Sequence, residues 1–150
     1  MSQSDVAAVK ARVFILIARW IRPTGLGWWK INVSYFDGPW DKTPLRGLGP
    51  NHVCLMDVDV DWRYMQATIR VDCAACADLK DDELEYAFVH ELMHIFVREM
   101  RPAFDRESEV QRIVADESQE HEERVCTQLA KAMIWTREHA QDEVKKKRKR

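Results

Sequence analysis

The sequence predicts a single α+β domain in which an N-terminal helix is followed by a small sheet of about three strands and then by two helices. Apolar residues recur at helical spacing in the first 22 residues and again from Asp81 onward. Between these regions, apolar and polar residues alternate as they do in half-buried strands. The 150 residues are 46% hydrophobic and 32% charged, which fits one folded domain and excludes a disordered or low-complexity chain.

The first helix is predicted from about residue 5 to 22, because Pro23 and two nearby glycines interrupt its pattern. Its apolar stripe consists of Val6, Val9, Val13, Leu16, Ile17 and Trp20. The first strand is predicted from Trp28 to Phe36, where apolar and polar residues alternate. Residues 37–51 contain three prolines and three glycines and are predicted to form a loop.

Two further strands are predicted from Val53 to Val60 and from Tyr64 to Asp72. In the later one, alternate residues share one apolar face, namely Met65, Ala67, Ile69 and Val71. Because successive side chains of a strand point to opposite faces of a sheet, this pattern indicates one face turned to the core and one turned to solvent.

From Asp81 the period becomes helical, and acidic residues suit the first turn of a helix. The apolar stripe of this helix consists of Leu84, Phe88, Leu92, Ile95 and Phe96. Pro102 is predicted to end it. A last helix is predicted from about Ser118 to about Ala140. Its buried side is expected to contain Cys126, Leu129, Ala130, Met133 and Ile134.

The net charge of −2 conceals an uneven distribution, because six of the 23 basic residues form the segment Lys145 to Arg150. Without them, 17 basic residues face 25 acidic ones, a balance of −8. An acidic body is a poor binder of nucleic acid, so only the basic segment is a candidate for such a contact. We therefore expect one domain at residues 1–144 and a disordered basic tail at residues 145–150.

Apolar segments and cysteines indicate the compartment. The longest purely apolar run, Val13 to Ala18, is too short to cross a bilayer or to serve as most signal peptides do. The four cysteines, in a chain with no export signal, are expected to be reduced thiols. These features predict a cytoplasmic protein without a membrane partner. Cys73 and Cys76 form a C-x-x-C pair, but no second pair or neighbouring histidine favours a structural zinc site.

The motif that indicates chemistry is His-Glu-Leu-Met-His at residues 90–94. Residues four apart lie one above the other on a helix, so the imidazoles of His90 and His94 can reach one Zn²⁺. Glu91 lies beside them, where it can take a proton from water as a general base. Since a catalytic zinc has three protein ligands and one open position, a third ligand is expected from another element.

The segment from His121 to Ala130 offers candidates for that ligand, and with it the sequence resembles the zincin metallopeptidases whose third ligand is a glutamate. Thermolysin-like and ImmA/IrrE-like peptidases are the most similar in pattern. In them the third and fourth residues after the ligand glutamate are small and polar, and the sixth and seventh are aromatic or aliphatic and small. If Glu123 is the ligand, these positions are Cys126, Thr127, Leu129 and Ala130. The resemblance therefore implies Glu123 as a zinc ligand.

Two alternatives to Glu123 remain from the residues alone. Helical geometry does not separate Glu122 from Glu123, and His121 could also serve, although it lies roughly 140° from the buried stripe of the last helix. The resemblance further implies that Thr127 hydrogen-bonds a zinc-bound imidazole. It also implies a minimal zincin-like fold, in which the strand ending near Asp72 is an edge strand that pairs with an extended peptide.

The expected function is zinc-dependent hydrolysis of peptide bonds in a peptide or protein substrate. In overall build the chain resembles the small stand-alone zincins that phages and prophages encode. One alternative is a catalytically inactive zincin that binds zinc or a protein partner, although the intact Glu91 argues against it. Another is a different zinc hydrolase such as a peptide deformylase, but the cysteine ligand and the glycine-rich strand of that family have no counterpart in the sequence.

Overall fold

The computed structural model describes residues 3–38, 54–97 and 109–148, with side chains for residues 5–38, 54–97 and 120–140. Within this part of the chain the predicted α+β class is confirmed: three strands form one sheet and four α-helices accompany them. The elements are α1 (Gln3–Trp20), β1 (Lys30–Phe36), β2 (Met56–Asp61), β3 (Gln66–Asp72), α2 (Cys73–Cys76), α3 (Asp81–Val97) and α4 (Glu109–Arg148).

The sheet has the order β1-β3-β2, with β1 parallel and β2 antiparallel to the central strand β3. The strand ending near Asp72 is therefore not an edge strand, which corrects the expectation from the sequence. A strand that is paired on both sides has no backbone groups left for a peptide. The antiparallel edge strand that packs against α3 is β2.

Short 3-10 turns shift the beginnings of two strands from their predicted positions. Leu26–Trp28 form such a turn, so β1 begins at Lys30. Trp62–Tyr64 form another, and Met65 follows with a φ of 50°, which is left-handed backbone. Extended pairing is possible only after this residue, and β3 therefore begins at Gln66. Of the predicted loop at residues 37–51, residues 39–51 lie outside the described residues.

One hydrophobic core lies where α1, the inner face of the sheet, α3 and part of α4 meet. Ile69 and Val71 of the central strand are completely buried, in agreement with the alternation in the sequence. The core residues that α3 and α4 contribute are Leu84, Phe88, Val89, Leu92, Met93, Ile95, Val97, Cys126 and Ala130. The core therefore fixes the position of α3 between the sheet and the final helix.

The final helix is much longer than predicted, because it runs from Glu109 to Arg148 without interruption. The segment 145–148, which was expected to belong to a disordered tail, continues this helix. Apolar periodicity is present only where a helix packs against a core. The turns of α4 outside that part were therefore not predicted to belong to the helix. The predicted helix end at Pro102 lies outside the described residues.

A buried carboxylate links three helices. Glu85 of α3, which is 8% exposed, accepts hydrogen bonds from Arg19 at 2.9 Å and from the indole of Trp20 at 2.7 Å, both on α1. Arg137 of α4 pairs with both of its oxygens and stacks over the ring of Trp20. A buried charge is tolerated only when an opposite charge and hydrogen bonds compensate it. The contacts of Glu85 therefore hold α4 at its crossing with α3.

No helix in the described part of the chain is long and apolar enough to cross a membrane. All four cysteines are free thiols. Cys73 and Cys76 lie in the short helix α2, buried in the core, and burial raises the pKa of Cys76 to about 12 and that of Cys73 above its ordinary value. A raised pKa keeps a thiol protonated at neutral pH, so the C-x-x-C pair packs in the core as two neutral thiols.

Candidate metal centre

Helix α3 presents the two histidines of the motif on one side. The helix begins after Lys80, whose backbone N–H donates to the side chain of Glu83 at 2.9 Å, as in a capping box. Its apolar stripe faces the core, and since residues four apart share a face, His90 and His94 lie one above the other. Their ring centroids are 4.8 Å apart.

Helix α4 brings two adjacent glutamates to these histidines. Its buried side contains Glu122, Cys126 and Ala130, which are spaced by one turn and are 5%, 0% and 0% exposed. Small side chains at two of these three positions let α4 pack closely on α3. Glu123, one residue further around the helix, has a half-exposed side chain that lies beside the imidazoles.

Three groups converge on one point between the helices. The Nε2 atoms of His90 and His94 are 3.1 Å apart. One oxygen of Glu123 lies 3.1 Å from Nε2 of His90, and its other oxygen lies 3.4 Å from Nε2 of His94. Both imidazoles thus direct the same ring nitrogen at the same carboxylate, although the three residues come from two helices.

The separations of these donor atoms fit a tetrahedral zinc ion. With zinc–ligand bonds of about 2.0–2.1 Å, the ligand atoms of a tetrahedral site lie about 3.3 Å apart. The two nitrogens are 3.1 Å apart, and each lies at a similar distance, 3.1 or 3.4 Å, from a different oxygen of the Glu123 carboxylate. Two imidazoles with one carboxylate are also a donor set that zinc accepts in catalytic sites. The residues therefore fit the metal that the motif implies.

Glu91 is the fourth acid–base group of the site. Its carboxylate and the ring nitrogens of His90 and His94 lie within 4.8 Å of one another. The side chain is 9% exposed, and Glu91 is therefore largely shielded from water. Glu123 lies 3.1 and 3.4 Å from the same nitrogens, so both carboxylates are close enough to the histidines to take part in one site.

Glu122 contacts the opposite side of His94. The Nδ1–H of His94 donates to Glu122 across 2.6 Å, and the two side chains are 3% and 5% exposed. Thr127, for which the resemblance implies a bond to an imidazole, makes none to either histidine within the described part of the chain. The group that holds a histidine ring here is thus Glu122, which the sequence analysis considered only as an alternative ligand.

A signal for this role of Glu122 was present in the sequence. Glu122 lies one turn before Cys126 and two turns before Ala130, so the helical period places it on the buried stripe. A buried carboxylate needs a partner, and a nearby histidine of the motif is a suitable one. Glu123 lies about 100° around the helix from that stripe, which directs it to a different side of the same ring.

The electrostatics of the cluster favour a protonated imidazole beside an ionised carboxylate. Burial opposes the charged form of His94, but its hydrogen bonds to Cys126, Glu122 and Glu123 outweigh burial and raise its pKa to about 11. Hydrogen bonds from His90 and His94 hold the pKa of Glu123 well below its ordinary value. In the metal-free protein, the protonated ring of His94 therefore faces the ionised carboxylate of Glu123.

Other candidate residues lie outside this convergence. His121 is exposed, in agreement with its position away from the buried stripe. Tyr86, one turn before His90, packs against the core, and its ring centroid lies 6.2 Å from that of His90. Cys54, which precedes β2, lies close enough to Glu91 and Glu123 for its pKa to respond to their charges.

Neither a protein-family model nor a curated protein nor a solved structure matches the chain. The features of the chain that indicate a metal centre are the motif at residues 90–94 and the convergence of His90, His94 and Glu123.

Proposed function

We propose that the chain is a zinc-dependent peptidase. The observation that carries this proposal is the convergence of two imidazole nitrogens and one carboxylate at separations of 3.1–3.4 Å, with Glu91 next to them. His90, His94 and Glu123 would hold the ion. Zinc, when bound, supplies Lewis acidity that polarises a carbonyl and makes water a stronger acid.

Glu91 would move the protons of the reaction. As a carboxylate it takes a proton from the attacking water, and as the resulting acid it gives that proton to the leaving amine. Its low exposure supports this role, because a carboxylate shielded from bulk water is a stronger base than an exposed one.

The edge strand β2 is the surface on which an extended substrate would pair. It is antiparallel to β3 on one side, and no strand of the described residues pairs with its other side. Added strands bind through backbone hydrogen bonds, so such an edge accepts peptides of varied sequence. Because β2 packs against α3, a peptide on this edge would lie near the histidines.

The test is zinc content combined with peptidase activity. We expect the purified wild-type protein to hold about one zinc ion per chain and to cleave fluorescently labelled, denatured casein. Glu123→Ala should lose the zinc. Glu91→Gln should keep the zinc but cleave about 10²–10⁴-fold more slowly, because it lacks only the base.

Glu138→Gln provides the matched control, since Glu138 is an exposed glutamate on the same helix α4. It should retain both zinc and activity. A wild-type protein that binds no zinc after reconstitution would overturn the proposal. Zinc binding without any cleavage of casein or of a peptide library would instead support the inactive zinc-binding module.

A further inference from the structure

The contact between Glu122 and His94 has the geometry of a strong hydrogen bond. Its length is 2.6 Å, and both side chains are at least nine-tenths buried. Charge-assisted hydrogen bonds of this length are roughly twice as strong as neutral ones, and water does not compete with them in a buried site. The carboxylate therefore fixes the rotation of the imidazole about its side-chain bonds.

Glu122 also decides which ring nitrogen of His94 is available for a metal. A carboxylate accepts hydrogen bonds, so the proton lies on Nδ1, and the lone pair of the neutral ring lies on Nε2. Nε2 is the nitrogen that faces His90 and Glu123, at 3.1 and 3.4 Å. The two ring nitrogens point in different directions, so a carboxylate bonded to Nδ1 cannot also ligate an ion at Nε2.

His90 provides a contrast within the same site. Its Nδ1 is buried and has no hydrogen-bond partner among the described residues. Of the two imidazoles, His94 is therefore the one whose ring is held by a buried carboxylate. This asymmetry makes Glu122 the residue on which the order of the site depends.

We infer that Glu122 is a positioning residue, which holds the ring of His94 in the orientation that points Nε2 toward His90 and Glu123 before the ion arrives. The inference rests on the proposed function, since it concerns the same site. It assigns the two adjacent glutamates of α4 to different tasks: Glu123 contacts the ion, and Glu122 acts only through His94. Groups that orient metal-ligating histidines in this way typically change metal affinity by about 10–100-fold.

The experiment compares zinc affinity in the wild type, Glu122→Gln, Glu122→Ala and the exposed control Glu138→Gln, by competition with a chromogenic chelator. The expected affinity falls about 10–100-fold in Glu122→Ala and less in Glu122→Gln, whose amide oxygen can still accept the Nδ1 proton. Glu138→Gln should bind zinc as the wild type does. Circular dichroism and the thermal midpoint show whether each variant is folded.

Two spectroscopic measurements separate positioning from a general effect on the fold. In the zinc-loaded wild type, ¹⁵N NMR of the ring should show His94 protonated at Nδ1, a result that needs no variant. Co²⁺ in place of zinc should give a visible absorption spectrum whose band positions change in Glu122→Ala. They should return toward the wild-type spectrum in Glu122→Gln.

The measurements distinguish failure of the proposed function from failure of the positioning role of Glu122. A wild type that binds no zinc refutes the proposed function and this inference together. A wild type that binds zinc while Glu122→Ala binds it equally well refutes the inference alone, as does a His94 ring protonated at Nε2 instead of Nδ1. If Glu122→Ala loses zinc entirely while Glu123→Ala keeps it, Glu122 is a ligand, and the positioning role is wrong.

Discussion

His94 determines how the site responds to pH. Hydrogen bonds to Cys126, Glu122 and Glu123 overcome the cost of burial and raise the pKa of the metal-free imidazole to about 11. A metal ion binds only the neutral ring at Nε2, so it must displace the proton that this nitrogen carries. If zinc binds as proposed, it therefore competes with a proton for this atom at neutral pH.

This competition predicts that zinc affinity rises with pH. Because the pKa lies above the window from pH 7 to pH 9, the ring is protonated throughout it, and each bound ion displaces one proton. The dissociation constant should thus fall about tenfold for each unit of pH. Chelator competition at pH 7, 8 and 9 measures it. An affinity that does not change with pH would show that His94 is already neutral in the metal-free protein.

Cys54 is the cysteine nearest to the site, and its surroundings suppress its reactivity. Burial, together with the nearby carboxylates Asp57, Glu91 and Glu123, raises its pKa to about 11. At pH 8 its thiolate fraction is then about a hundredfold smaller than that of a thiol with a pKa of 9.

We accordingly expect Cys54 in the folded protein to react with iodoacetamide about a hundredfold more slowly than in the unfolded chain. Mass spectrometry of tryptic peptides after timed labelling in buffer and in urea measures both rates. Rapid modification of Cys54 in the folded state would contradict the environment that the structure gives it.

At the level of elements, periodicity predicted which residues face the core but not which strands are neighbours. The buried residues Ile69 and Val71 follow from alternation alone. The central position of β3 does not, because pairing partners are set by the chain connections and not by the pattern within a strand. Likewise, the alternation of apolar and polar residues does not predict the left-handed backbone at Met65. This conformation makes β3 shorter than predicted.

We expect the contacts of Glu85 with α1 and α4 to contribute to the free energy of unfolding. Replacing this glutamate with alanine leaves Arg137 and Arg19 without their partner and removes the acceptor of the Trp20 indole. Breaking a largely buried ion pair from one side costs about 3 kcal/mol. Urea unfolding of Glu85→Ala should show this loss, whereas Asp82→Ala, on the exposed side of the same helix, should stay within about 0.5 kcal/mol of the wild type.

The same contacts of Glu85 should make the free energy of unfolding depend on pH. Although burial opposes the ionised form of Glu85, its hydrogen bonds to Arg137, Arg19 and Trp20 prevail, and its pKa lies below the ordinary 4.5. A group whose pKa is lowered on folding stabilises the folded state fully at any pH above its pKa in the unfolded chain. This stabilisation is lost as the pH falls through the pKa of the group in the folded protein. The difference in unfolding free energy between wild type and Glu85→Gln should therefore shrink below pH 4.5.

For the molecule as a whole, the sequence indicated which residues form the candidate site and said less about the residues that support it. The motif and the resemblance named His90, His94 and Glu123, which the structure brings together from two helices. They did not name the residues that hold those helices in place, because Glu85 and Glu122 find their partners only after α3 and α4 have packed. The helical period places Glu122 on the buried side of α4, but the partners of both glutamates are set by tertiary contacts.

Since the proposed ligands come from both α3 and α4, zinc should stabilise the entire domain. An ion that binds only the native state adds about 4 kcal/mol when its free concentration is a thousand times the dissociation constant. For a chain of 150 residues this corresponds to a rise in Tm of about 10 °C. Differential scanning calorimetry with and without zinc measures the increment.

Two variants separate the metal from the rest of the fold in that experiment. Glu123→Ala should lose the increment because it lacks a ligand. Glu85→Ala should instead melt at a lower temperature in both conditions and keep most of the increment, since its contacts with α1 and α4 do not include the imidazoles. A wild type that binds zinc without any rise in Tm would mean that the unfolded chain binds the ion as tightly as the folded one, which contradicts a site assembled from two packed helices.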